Sequence, residues 1–419
     1  MASRVLAVIM AGGKGTRLEP LTSYRAKPAV PFAGKYRLID FVLSNFVNSG
    51  IYSIYVLTQF MSQSLSEHLR DAWSFGTVQR DHFISTVPAQ MRLGESWYRG
   101  TADSIYQNMY LVEEHRPEMV AVFAGDHIYR MDVMQMVRYH NEREADVTVA
   151  VVPMPIEQAS EFGVAVVDNY WRIVGFQEKP AVPSPAPGNP HMALVSMGNY
   201  IFNRKVLGEV LAEDANCKDS QHDFGHDILP SVTKDKTVFA YDFRRNRVPG
   251  TATGGEYNAY WRDVGTLDSY WATHMDLRAV QPSFNLYNHE WPIRTANCWH
   301  PPAKFVHEEG GRVGRAINSI VNDGCIISGG TVRGSVLGKH VRVNSYCELI
   351  DSVVLDGVHV GRGARIRRAI IDQDSHIESG VSIGFDVAED RKRFHVTEAG
   401  IVVVSRGSHV GRGAAAARV

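Results

Sequence analysis

The chain has 419 residues, 44% hydrophobic and 21% charged, an ordinary globular composition that excludes a disordered or fibrous chain. With 44 Lys and Arg against 45 Asp and Glu, the net charge of −1 argues against bulk attraction to nucleic acid or an anionic membrane, and leaves a local basic site for a small anion open. No apolar run reaches the roughly 18 residues that cross a bilayer, and Cys217, Cys298, Cys325 and Cys347 lack both disulfide-framework and metal-ligand spacing, so buried, reduced thiols in a cytoplasmic protein are expected.

Val5–Met10 is apolar on both faces, as a central parallel strand is. Leu38, Phe41, Val42 and Phe46 recur at helical spacing before Gly50, and residues 53–58 read as the next strand. A helix follows with Leu65, Leu69, Ala72 and Trp73 on one face, then strands over 119–124 and 146–152. Strands alternating with helices predict an α/β fold with a doubly wound, mostly parallel sheet. Val164–Val167 and Arg172–Gln177, joined by Asp168-Asn169, read as an added hairpin, and prolines 180, 183, 185, 187 and 190 mark an extended surface loop.

A second irregular stretch, 281–304, marks a domain boundary. Beyond it aliphatic residues recur six apart: Ile320, Ile326 and Val332; Leu337 and Val343; Val354, Val360 and Ile366; Ile371, Ile377 and Ile383. Neither a helix nor a hairpin repeats at six, whereas a parallel β-helix of three-faced coils does; an antiparallel sandwich is the alternative. His340, His359 and His376 read as exposed turn histidines, and the tail after Gly411 carries no structural signal.

The segment Ala11-Gly12-Gly13-Lys14-Gly15-Thr16-Arg17 follows directly on the first strand. Glycines there let the backbone turn sharply and aim N–H groups at an anion. Leu18 breaks the dinucleotide fingerprint and the Lys-Gly-Thr order breaks the P-loop pattern. With Pro20 so close, no helix is expected at the loop, which should continue extended to Pro28, with Lys14 and Arg17 at the phosphates. Asp126, just past the strand at 119–124, is placed either to ligate a metal or to cap a helix.

These segments resemble the openings of the sugar-nucleotide pyrophosphorylases. The likeness continues through 97–103 (Trp-Tyr-Arg-Gly-Thr-Ala-Asp), 124–129 (Ala-Gly-Asp-His-Ile-Tyr), Glu178-Lys179-Pro180, Ser196-Met197-Gly198 and 260–266 (Tyr-Trp-Arg-Asp-Val-Gly-Thr). With 291–295 and 301–305 it covers nearly the whole chain, and is similar in particular to the bacterial glucose-1-phosphate adenylyltransferases. The resemblance implies a nucleotidyltransferase domain over 1–280, a linker over 281–310, and a left-handed parallel β-helix over 311–419 for assembly and regulation. It implies Mg²⁺-dependent transfer of AMP from ATP to glucose 1-phosphate for glycogen synthesis, in a homotetramer.

Residue by residue, the resemblance implies that Asp126 and Asp263 hold Mg²⁺. Gly12, Gly13, Gly15, Thr16, Arg17 and, as adenine reader, Gln90 bind ATP. Tyr98, Gly163, Glu178, Lys179, Ser196 and Asp223 bind glucose 1-phosphate. Arg25, Lys27 and Arg37 serve metabolite effectors, Lys27 also assisting at the ATP phosphates. Tyr24, Pro31 and Glu113 stand where enteric relatives carry a lysine, a histidine and an arginine, so altered responses to fructose 1,6-bisphosphate and AMP are expected. A sugar phosphate is already an anionic nucleophile, so no serine triad or general base is needed. The competing readings are a catalytically silent regulatory subunit, a pyrophosphorylase for another nucleotide sugar, and an acyltransferase using a coil histidine.

Overall fold

The structure is a computed structural model that describes residues 4–74, 81–92, 97–251, 259–297, 299–411 and the backbone of 417–418. Cys298 and most of the tail therefore lie outside the described residues.

The apolar strand Val5–Ala11 sits at the centre of a nine-stranded sheet. It runs parallel to Ser53–Thr58 on one side and to Met119–Ala124 on the other, and Phe83–Pro88 extends the parallel ladder past Ser53–Thr58. The helix Leu38–Asn48 covers one face with ten of its eleven residues buried, as its apolar spacing predicts. Asp40 in its first turn is wholly buried and satisfied three times over. It accepts the Arg37 backbone N–H at 2.8 Å and the Trp73 indole N–H at 2.8 Å, and pairs with His68 Nε2 at 2.6 Å.

Beyond Met119–Ala124 the sheet becomes mixed. The long strand Met192–Asn203 is antiparallel to Met119–Ala124 and to Val147–Pro155, and the expected hairpin, Gly163–Val167 with Ile173–Glu178, joins at its edge. Val238–Asp242 returns parallel to Val147–Pro155.

One local expectation is corrected. The glycine loop ends in a single 3-10 turn, Thr16–Leu18, and a second one, Lys27–Ala29, follows, so the chain to Pro28 is turn-rich rather than extended. Gly15 at φ +66° starts the first turn, and Leu18 N–H donates to its carbonyl at 2.9 Å; one such turn fits before Pro20. The segment 281–303 lacks helix and strand among its described residues, yet it is packed. Phe284, Trp291 and Ile293 are buried, and Ser44 and Asn48 of the helix bond the backbone of Arg294 and Pro292.

From Lys304 onward three parallel sheets wind around one another as a β-helix. Between Val332 and Ile383 strands pair seventeen residues apart, as Val343 does with Val360 and Leu349 with Ile366, so the coils there take steps of six, six and five rather than three sixes. The residues of the six-step pattern from Val332 to Ile383 are all fully buried along the axis. Each is worth roughly 1.5–3 kcal/mol of burial that no coil could realise alone. The helix Val387–Arg393 interrupts the stack before Val402–Val404 resumes it beside Ala369–Ile371. His359 and His376 lie on strands, not in turns, and stack face to face. At 417–418 the backbone pairs antiparallel with Ser408–Val410, a strand the tail's composition did not announce.

The coil is bound to the sheet part by a buried ion pair, Arg25 Nη1 to Asp372 Oδ1 at 2.9 Å, and by Trp271 Nε1 donating to the Asp351 carbonyl at 2.8 Å. No helix among the described residues is long and apolar enough to cross a membrane.

Candidate active site

The loop after Val5–Ala11 and the residues after Met119–Ala124 leave neighbouring parallel strands at the same end, Met10 lying opposite Ala124. Asp126 therefore emerges beside the glycine loop, where ligands sit in open α/β sheets. Asp263 arrives from far along the chain because Trp261–Asp263 pairs antiparallel with His127–Tyr129, setting Asp263 opposite His127. Lys27 is delivered from beneath the loop. A Cβ on Gly15 would lie 3.0 Å from Lys27 Cβ, which at the left-handed φ of that position leaves room for glycine alone.

The Lys27 ammonium lies between the two carboxylates, 2.7 Å from Asp126 Oδ2 and 3.3 Å from Asp263 Oδ1. Burial works against the Asp126 carboxylate, yet the Lys27 ammonium and His127 prevail and hold it down at about 2. Burial would likewise lower Lys27, but the two aspartates outweigh it and the ammonium is raised above its ordinary value. Arg17 Nη2 stands 4.0 Å from Asp263 Oδ2, and its other nitrogen 3.9 Å from Glu161. Arg17, Lys27 and Asp126 line a cleft of about 230 Å³ with Gly13, Thr16 and Gly265, and Asp263 adjoins it through Lys27 and Arg17. Gly265 must be small, since a Cβ there would meet Asp263 Oδ2 at 2.8 Å and Arg17 at 3.1 Å.

Lys27, placed by the sequence reading among effector residues, thus lies in the cleft itself. Arg25, expected among the same residues, is 2% exposed and pairs with Asp372 through Nη1. Arg37 donates to the Ala29 carbonyl at 3.1 Å, bracing the Lys27 turn.

A second set lines the adjoining edge. Gly163 and Glu178 face each other across the hairpin, and a Cβ on Gly163 would strike the Phe176 ring at 2.6 Å and Glu178 Oε2 at 3.0 Å. Lys179 follows in the left-handed region at φ +43°, largely exposed, its Nζ 3.2 Å from Glu178 Oε1. Ser196 adjoins Gly163 through the Val195–Val164 pair, and its Oγ accepts the Gly198 N–H at 3.2 Å. The Tyr98 hydroxyl accepts from Asn108 at 2.9 Å, and burial raises its pKa.

Asp223, expected at the sugar, is held from both sides by its own neighbours. Its Oδ1 accepts the Gly225 and His226 N–H groups and its Oδ2 the Thr101 hydroxyl at 2.9 Å, so both oxygens are committed to the turn that sets Gly225 against Glu178. Gln90 is exposed beyond the end of Phe83–Pro88, at the same edge of the sheet as the glycine loop.

Two residues escaped the sequence reading. His127 donates from Nδ1 to the Met197 carbonyl, 3.0 Å away, and its Nε2 reaches within 3.6 Å of Asp126 and 3.9 Å of Asp263, joining the two half-sites. Adjacency to Asp126 was the available signal. Gln59 packs on Gly12 and bonds the Tyr98 carbonyl at 3.4 Å; nothing in its local sequence marked it.

Among the described residues no cluster of three or more His, Cys, Asp or Glu side chains could hold a metal ion. Two carboxylates that already converge on one cation suit Mg²⁺, which commonly takes one or two carboxylates and completes its shell with phosphate oxygens and water.

Residues 6–280 match the nucleotidyl transferase family, and 301–404 the GlmU-like C-terminal hexapeptide family. The glucose-1-phosphate adenylyltransferase of Thermus thermophilus is 57% identical over 409 residues, 96% of this chain and 98% of its own. That of Deinococcus radiodurans is 52% identical over 413 residues (97% and 99%), and glucose-1-phosphate adenylyltransferase 1 of Vibrio vulnificus 49% over 407 (97% and 99%). With its nucleotide cleft and its stacked coils both matched along nearly the full length, the chain belongs to the glucose-1-phosphate adenylyltransferase family.

Proposed function

We propose that this chain transfers AMP from ATP to glucose 1-phosphate, giving ADP-glucose and pyrophosphate for α-1,4-glucan synthesis in the cytoplasm. The observation that carries the reading is the meeting of Arg17, Lys27, Asp126 and Asp263 at the mouth of the glycine loop, beside the Gly163–Glu178–Lys179 edge. A phosphate oxygen of the sugar phosphate attacks the α-phosphorus, a new P–O bond forms, and the bond to the β-phosphate breaks. The nucleophile brings its own charge, so the chain's task is to align two polyanions and neutralise the leaving group.

Arg17 and the loop amides bind the β- and γ-phosphates. Lys27 leaves the carboxylates for a phosphate oxygen once the nucleotide enters. Lys179 holds the sugar phosphate and Glu178 the glucose hydroxyls, while Tyr98 and Ser196 close the sugar pocket. Gln90 reads adenine. Asp126 and Asp263 would hold Mg²⁺, which supplies Lewis-acid neutralisation of the triphosphate. The coils from residue 311 serve assembly, in a homotetramer, and regulation by metabolites with responses unlike the enteric ones.

Incubating the chain with each NTP and each sugar 1-phosphate, and measuring pyrophosphate, tests this. Release is expected with ATP and glucose 1-phosphate. Preference for another pair would assign a different nucleotide sugar, and no release from any pair would assign a silent subunit.

A further inference from the structure

The outer face of one coil sheet carries a groove of about 610 Å³ that shares no lining residue with the cleft, lined by Arg312, Arg342, Arg362, His359, His376 and Glu378 among others. The contacts of its three guanidiniums are with neutral groups. Arg312 donates to Ser345 Oγ at 2.9 Å and to His307 Nε2 at 2.7 Å, Arg342 reaches Asn344 at 3.4 Å, and Arg362 lies over the Tyr346 ring at 4.8 Å. The one carboxylate of the lining, Glu378, is engaged by His409 at 2.9 Å.

Arg342, His359, His376 and His409 stand in register on successive strands. The imidazoles stack at 4.6 and 4.9 Å with planes within 8° and 3° of parallel. Charges so close repel, and each added proton makes the row harder to protonate further. Burial, then His376 and Arg342, lowers the pKa of His359, whose Nδ1 is buried without a hydrogen-bond partner. The other charged groups facing the row are Arg362 and Arg312 from the neighbouring turns and Glu378 from its far rim. Guanidiniums without carboxylate partners among the described residues, beside an imidazole whose ionisation is opposed by burial and Arg342, call for an oxyanion.

We propose that this groove is a binding site for a small polyvalent oxyanion, gripped by Arg312, Arg342 and Arg362 beside the stacked rings of His359 and His376. Bound anion favours the charged form of His359, so binding strengthens as pH falls and fades as it rises. The site stands apart from the catalytic cleft, so its test does not depend on the enzymatic reading.

Calorimetric titration of the full chain with inorganic tripolyphosphate, and separately citrate, decides it by comparing the wild type with Arg312→Gln/Arg342→Gln. The double variant is expected to lose one site per chain, or to bind there at least tenfold more weakly. It should keep the binding of the cleft and unchanged turnover, which also reports an intact fold. Loss of tripolyphosphate alone assigns phosphate esters, and loss of citrate alone polycarboxylates. In the wild type the groove should bind several-fold more tightly at pH 5.5 than at pH 7.5, and His359→Gln should abolish that difference. Superimposable isotherms for wild type and arginine variant would overturn the site, and a pH response surviving in the histidine variant would overturn the role of the row.

Discussion

Replacing Asp126 by Asn tests the centre of the cleft, because the amide keeps the shape and removes only the charge. The carboxylate sits near 2 against an ordinary 3.8 although burial opposes ionisation, a difference equivalent to about 2 kcal/mol of favourable interaction, chiefly with Lys27. Its folded pKa is depressed, so that stabilisation is complete above about 4 and is lost only as pH falls through about 2. In the variant Lys27 keeps only Asp263 at 3.3 Å, and the nucleotide's counter-charge has one anchor instead of two. Removing one preorganised charge from a transition-state site costs roughly 3–4 kcal/mol, so kcat should fall about 10²–10³-fold. The assay is pyrophosphate release at saturating substrates over a Mg²⁺ titration, with a thermal melt as control for folding. Because Asp126 stays ionised throughout, the wild-type to variant ratio should be constant between pH 5.5 and 8. Turnover within threefold of wild type, or a ratio that collapses near pH 6, would refute the reasoning.

Lys179→Ala should raise the KM for glucose 1-phosphate about tenfold with a smaller change in kcat, since it removes a contact made before and during reaction; steady-state kinetics reads the split. Gly163→Ala drives a methyl group into Phe176 and Glu178, so sugar-phosphate KM should again rise, with ATP KM unaffected. Arg25→Met leaves Asp372 buried and unpaired, at a cost of about 3–5 kcal/mol in a melt, and adding Asp372→Leu should recover most of it. His274 accepts the Ala33 N–H at 3.0 Å and donates from Nδ1 to the Tyr270 carbonyl, and burial lowers its pKa to about 4. It takes up its proton more readily unfolded, so stability should drop as pH falls from about 6.5 toward 4, by about 2 kcal/mol at pH 5. His274→Gln should flatten that dependence.

Much of this chain was legible because its signals are local. An all-apolar run such as Val5–Met10 has nowhere to go but a sheet interior, and aliphatic residues six apart can share an axis only in stacked coils. The glycine loop likewise declares itself through residues that lack a Cβ. The five-residue corner in these coils was already present in the spacing from Val332 to Leu337, but its meaning needed the seventeen-residue register. What the tertiary structure alone decided are the encounters between distant segments. Asp263 meets Asp126 only through the pairing of 261–263 with 127–129, and Arg25 and Asp372 find each other across nearly the whole chain. Lys27 and Asp223 read alike as charged groups near a motif; packing alone sends Lys27 into the cleft and commits Asp223 to a turn. The reason is physical: periodicity and backbone freedom are properties of neighbouring residues, whereas a charge acquires its role from what folding brings within a few ångströms of it.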